Sequence, residues 1–186
     1  MTHGQKRLAL SMLEMALFPM FGALMFITKY AMEPIPNIHP LALFIAAFTI
    51  VYGFRALIPL YIYVAINGVI AGFSMWWIPY LYIWLPLWGG IMLAARWAER
   101  RELPVKAQVP LYMAICALHG LAFGTLYAPA QMLLFRLPFR ALPAWIASGF
   151  TFDVVHAAGN LAFGLLVVPL AGLLKKLHGA KAKGKL

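Results

Sequence analysis

Asp153, His156 and Asn160 stand at i, i+3 and i+7 in the stretch Phe152-Asp153-Val154-Val155-His156-Ala157-Ala158-Gly159-Asn160. On a helix these three positions fall within about 60° of one another. One face of an otherwise apolar segment therefore carries an acid, an imidazole and a carboxamide. Such groups are costly inside a membrane unless they face a cavity or a partner. The face reads either as the polar wall of a binding site within a bundle or as an interhelical hydrogen-bond clamp. His119, in Cys116-Ala117-Leu118-His119-Gly120, and the later Thr125, Tyr127 and Gln131 extend the polar set. Tyr80 and Trp84 are one helical turn apart. Their rings suit stacking on a planar ligand, with the polar tips reaching its edge. Trp76 and Trp77 fit an aromatic belt at the outer interface, and Asn67 fits a hydrogen bond between helices.

Several chemistries are excluded. The chain has no G-x-S-x-G, no H-E-x-x-H, no paired catalytic carboxylates and no Walker A loop, so neither an enzyme nor intrinsic ATP hydrolysis is expected. His39, His119, His156, Glu33 and Asp153 match no standard metal-ligand spacing, and no metal or other intrinsic cofactor is expected. The lone Cys116 rules out a disulfide within the chain and a C-x-x-C site.

The elements that must position these groups follow from composition. The chain is 64% hydrophobic and 11% charged, against roughly 45–50% and about 25% for soluble domains. This points to an all-α membrane protein. Apolar segments run over about 8–31, 40–54, 56–73, 76–95, 109–127 and 146–174, followed by a basic tail at 175–186 that reads as disordered. The net charge of +10 lies in the gaps between these segments, a topology signal that needs no nucleic acid. With the N-terminus inside, twelve of the fifteen Lys and Arg residues fall on the cytoplasmic side, and only Lys29, Arg136 and Arg140 fall outside. Six transmembrane helices with both termini cytoplasmic satisfy that bias.

The connections differ in character. Glu33-Pro34-Ile35-Pro36-Asn37-Ile38-His39-Pro40 carries three prolines and reads as a stiff, extended outer turn. Residues 128–143 alternate apolar and basic residues and read as an interfacial segment or a lid over the bundle mouth. Gly53-Phe54-Arg55 reads as a tight inner turn. Gly68-xxx-Gly72, Gly120-xxx-Gly124 and Ala42-xxx-Ala46 mark close helix approaches. Glu14, in the inner half of the first segment, is expected to snorkel or to pair with Arg7 or a neighbouring base.

Taken together, the size, the Lys29–Pro40 connection with its Pro-Asn-Ile-His, Ala65-Ile66-Asn67-Gly68, the Trp76–Trp84 run, Leu118-His119-Gly120, Gly124–Gln131 and Phe152–Asn160 resemble the substrate-binding S-components of energy-coupling factor (ECF) transporters. That resemblance implies a multi-pass subunit of the bacterial plasma membrane. Such a subunit captures a vitamin or related micronutrient outside, then works with a transmembrane coupling subunit and two ATPase subunits. It implies a site near the outer face, walled by segments 4 to 6 and covered by the first outer loop. The candidate ligand-binding residues are then Asn37, His39, Tyr80, Trp84, His119, Tyr127, Gln131, Asp153, His156 and Asn160. The family's Ala-xxx-Ala docking motif is absent from the first segment; Ala9, Ala16 and Ala23, seven apart, stand in for it. An aromatic, weakly charged pocket suits a planar, mostly neutral ligand, and both a corrinoid and a purine-like base fit that description. The rival readings are a stand-alone secondary transporter or channel, disfavoured by the lack of an internal repeat, and a membrane enzyme using Asp153 and His156.

Overall fold

Ser11 starts the first helix of the computed structural model. Its hydroxyl accepts the Glu14 N–H at 3.1 Å while the Glu14 carboxylate accepts the Ser11 N–H at 2.8 Å, a reciprocal cap that satisfies two otherwise unpaired donors. The structure describes residues 10–182, all-helical and without a strand among them. α1 (Met12–Ala31) buries Glu14, Phe18, Gly22 and Met25, one stripe at helical spacing. Met12, Met20, Leu24 and Ile27 stay exposed on its other face. α2 (Leu41–Tyr52) is buried nearly all round and packs against α4, α7 and α8. After a 3₁₀ turn at Gly53–Ala56 come α3 (Leu57–Ala71), a second 3₁₀ turn at Ile78–Leu81, and α4 (Leu85–Arg100). α5 (Val105–Leu121), α6 (Phe123–Leu134), α7 (Leu142–Gly164) and α8 (Val167–Ala182) complete the bundle.

Met12–Ala31, Leu41–Ala71, Ile78–Arg100 and Val105–Leu134 are long and apolar enough to cross a membrane, and the bent pair α7–α8 makes a fifth. These long apolar helices are consistent with a membrane protein. The 31-residue stretch Leu41–Ala71 does not run straight. Lys29, near the end of α1, lines one cavity with His39 and another with Ala71. A straight helix of that length would hold its ends about 46 Å apart, at about 1.5 Å per residue. The chain turns back at Gly53, whose φ of 60° is a left-handed value that glycine adopts without a Cβ clash. The reversal places Arg55 beside the start of α1, and its Nη1 lies 2.7 and 2.9 Å from the two Glu14 carboxylate oxygens. The base that Glu14 finds is thus Arg55; Arg7 lies outside the described residues. Arg55→Met strands a buried carboxylate. It is expected to lower stability by about 3 kcal/mol, read as an earlier thermal unfolding transition in mild detergent, and Glu14→Leu in the same chain recovers part of the loss.

The structure departs from the sequence expectation at six places. The first connection is a chain of tight turns, with Ile35 N–H bonded to the Met32 carbonyl at 2.9 Å and Ile38 N–H to the Ile35 carbonyl at 3.3 Å. In the second turn Pro36 supplies its fixed φ and Asn37, at φ 59°, the left-handed position that follows. The expected 76–95 helix starts only at Leu85, because Pro79 and Pro86 favour helix starts over interiors. The fifth segment breaks at Ala122, where the Asp153 carboxylate takes the Gly124 N–H at 2.9 Å and interrupts the ladder. Beyond that break α6 runs through Pro129 to Leu134, so the expected 128–143 lid shrinks to the turn after Phe135. The sixth segment bends by 46° between α7 and α8. In a straight helix the Pro169 ring would meet the carbonyl four residues back, at Leu165, and the bend avoids this. α8 continues through Lys175 and Lys176 to Ala182, so the expected disordered tail is helical this far.

α5 and α7 approach closely. A Cβ on Gly120 would lie 2.8 Å from the Ala157 backbone, and one on Gly164 would lie 2.8 Å from Met113 Cα. Ala42 and Ala46 are buried as the small-residue pattern suggests. Gly72 instead caps α3 at φ 85° with nothing packed on it.

Candidate ligand-binding site

Near the end of α1, the first connection lays His39 against α7. The His39 and His156 rings stand 5.0 Å apart at 72°, and Phe123 meets His156 edge-on at 4.7 Å. A cavity of about 200 Å³ lies against them, lined by Lys29, Met32, Glu33, Ile35, Asn37, His39, Tyr80, Phe123 and His156. Lys29 and Tyr80 also line a second cavity, of about 250 Å³, with Asn67, Ala71, Gly72, Ser74, Trp76, Trp77 and Tyr127. The Lys29 ammonium and the Glu33 carboxylate approach within 3.6 Å across one helical turn.

His156 is only 2% exposed, yet neither ring nitrogen has a hydrogen-bond partner. His39 Nδ1 is likewise unpartnered. Buried polar groups are usually satisfied, and an orphan costs about 1–3 kcal/mol. Behind this front layer lie Trp84 and His119, with ring centroids 5.7 Å apart. His119 Nε2 donates to the Ile83 carbonyl at 2.8 Å, which leaves Nδ1 as an unpaired acceptor. Trp84 Nε1 and Tyr63 OH are also without partners. Unpaired donors and acceptors thus run inward from the cavity, interleaved with aromatic rings.

The polar face of α7 divides by depth. Only His156 reaches the cavity. Asp153 is held by Gly124, and Asn160 Nδ2 donates to the Cys116 carbonyl at 3.2 Å. Both tie α7 to the α5–α6 rod as a clamp. Tyr80, Asn37 and His39 line the first cavity, and Tyr80 and Tyr127 the second. The Tyr127 hydroxyl donates to the Trp76 carbonyl. Gln131 is fully buried with an unpartnered amide, away from both cavities. Lys29, Phe123, Asn67 and the indoles of Trp76 and Trp77 were not among the sequence candidates. Lys29 carried a signal as one of the few cations at the outer end, whereas Phe123 carried none. Of the docking candidates, Ala16 is exposed and Ala23 half-buried on α1, and Ala9 lies outside the described residues.

Among the described residues, no group of three or more His, Cys, Asp or Glu side chains is arranged to hold a metal. The chain matches no protein-family model, no curated protein and no solved structure. Its site is therefore read from its own geometry.

Burial lowers the His39 imidazole to about 4, helped by the nearby charges of Lys29 and His119. The unfolded chain, with a histidine near 6.5, binds more protons than the folded one between those values. The stability that this neutral histidine supports is complete above about pH 6.5 and is lost as pH falls toward 4. The thermal unfolding transition of the wild type is expected to drop across that window, and that of His39→Gln to drop less. The charged and titratable neighbours of residue 39, Lys29, Glu33, Tyr80, His119 and His156, are the same in both proteins.

Proposed function

We propose that this chain is the substrate-capture subunit of an ECF-type importer. It binds a small, flat micronutrient at the outer face for ATP-driven uptake through a coupling subunit and two ATPases. The observation that carries the reading is His156: a buried imidazole, with both nitrogens unpartnered, facing a cavity walled by rings. A bundle built only for packing gains nothing from such a residue, whereas a ligand with a donor and an acceptor on its edge satisfies it. The cavity volumes favour one or two fused rings over a corrinoid.

Six crossings with both ends cytoplasmic follow if the two arms of Leu41–Ala71 each count as one and α7–α8 counts as one. The positive-inside bias supports this topology, and under the proposal the cavities beside Lys29 open toward the outer side of a bacterial plasma membrane. Under this proposal ATP hydrolysis belongs to the partner subunits. Exposed Ala16 and half-buried Ala23, on the free side of α1, are the docking candidates for the coupling subunit.

Uptake into proteoliposomes tests the assignment. ATP-dependent accumulation that requires a coupling subunit and an ATPase pair supports it. Full-rate uptake by the chain alone, without ATP, contradicts it.

A further inference from the structure

The two cavities meet at Lys29 and Tyr80 and differ in chemistry. The first offers unpaired imidazole nitrogens and the faces of Tyr80 and Phe123, which suits the edge and the plane of a heteroaromatic ring. The second offers two indoles and two phenols. At the boundary stands one cation. The Lys29 side chain is 20% exposed, and its carboxylate neighbour Glu33 is 58% exposed at 3.6 Å. An exposed ion pair of that length is worth little, so Lys29 is free to trade Glu33 for a better-placed anion. A single lysine with a carboxylate beside it favours a monoanion over a dianion.

We propose that the site takes a heteroaromatic ring joined by a short linker to a carboxylate, with the ring in the first cavity against the His39–His156 pair and the carboxylate on Lys29. The remainder of the ligand extends into the second cavity, against Trp76 and Trp77. This rests on reading the outer face as a capture site, and it replaces a mostly neutral ligand with an anionic one. Lys29 sets the preference for charge, and His156 sets the preference for the ring.

Three ligands separate these roles: 3-(pyridin-3-yl)propionate, its primary amide of matched shape, and propionate, which lacks the ring. Binding to the purified full chain is followed by intrinsic tryptophan fluorescence. The propionate of pyridine is expected to bind at least tenfold more tightly than the amide, and propionate alone is expected not to saturate. Lys29→Gln brings the acid and the amide to equal affinity. His156→Ala weakens both without changing their ratio, and circular dichroism confirms the helical fold of each variant. Equal affinity for acid and amide in the wild type overturns the anion assignment while leaving ring capture in place. A preference that survives Lys29→Gln overturns the role of Lys29, and no binding by any of the three overturns the ring-plus-carboxylate class. Native mass spectrometry of the same preparation reports separately on whether the chain captures a ligand at all.

Discussion

His156→Ala is expected to weaken ligand binding about 100-fold while the bundle stays folded. The magnitude follows from two hydrogen bonds to buried ring nitrogens, roughly 1.5 kcal/mol each, with about 1.4 kcal/mol per tenfold in affinity. The fold survives because His156 makes no hydrogen bond within the protein; its removal deletes two orphaned groups. Asp153→Ala is the contrasting control. It leaves the Gly124 N–H without its carboxylate and is expected to lower thermal stability while leaving affinity within a factor of about two. Isothermal titration and thermal unfolding on the same preparations distinguish the two outcomes. Equal losses of affinity in both variants would return Asp153 to the site.

Gly120→Val is the second large effect, and it acts on the fold. A Cβ at Gly120 meets the Ala157 backbone at 2.8 Å and Asn160 Nδ2 at 2.9 Å. Backbone cannot swing aside as a side-chain tip does, so α5 and α7 must separate. That separation also breaks the bond from Asn160 to the Cys116 carbonyl. Overpacking costs typically 1–3 kcal/mol, and the lost bond adds about 1, so a loss of about 3 kcal/mol or more is expected. Gly149→Ala on the same α7, with nothing within 4 Å of its Cβ position, is expected to change stability by less than about 1 kcal/mol, in the stabilising direction. The paired thermal unfolding measurements read the difference directly.

Much of the fold was legible because its causes are local. The apolar segments and the turn at Gly53 follow from composition and backbone geometry. The interruption at Ala122 was not legible, because its cause lies elsewhere in the chain. Ala122 breaks the α5–α6 rod because a carboxylate 31 positions later reaches the next turn, and no window around residue 122 contains that fact. The site was legible in its imidazoles: His39, His119 and His156 were all singled out, and the structure brings them into one layered cluster. The spacing of Asp153, His156 and Asn160 correctly gave one face but not its division. Each residue meets a different level of the facing rod, at Gly124, Phe123 and Cys116 respectively. Lys29 was counted toward topology, and its place between two cavities depended on the folding of the first connection and of the segment after α3.

Native mass spectrometry of the full chain, wild type and His156→Ala, purified identically from one host, tests the capture reading most directly. The expected result is a small-molecule adduct on the wild type that is absent from His156→Ala, with both proteins folded by circular dichroism. A wild type without an adduct, or an adduct retained in full by His156→Ala, would contradict it.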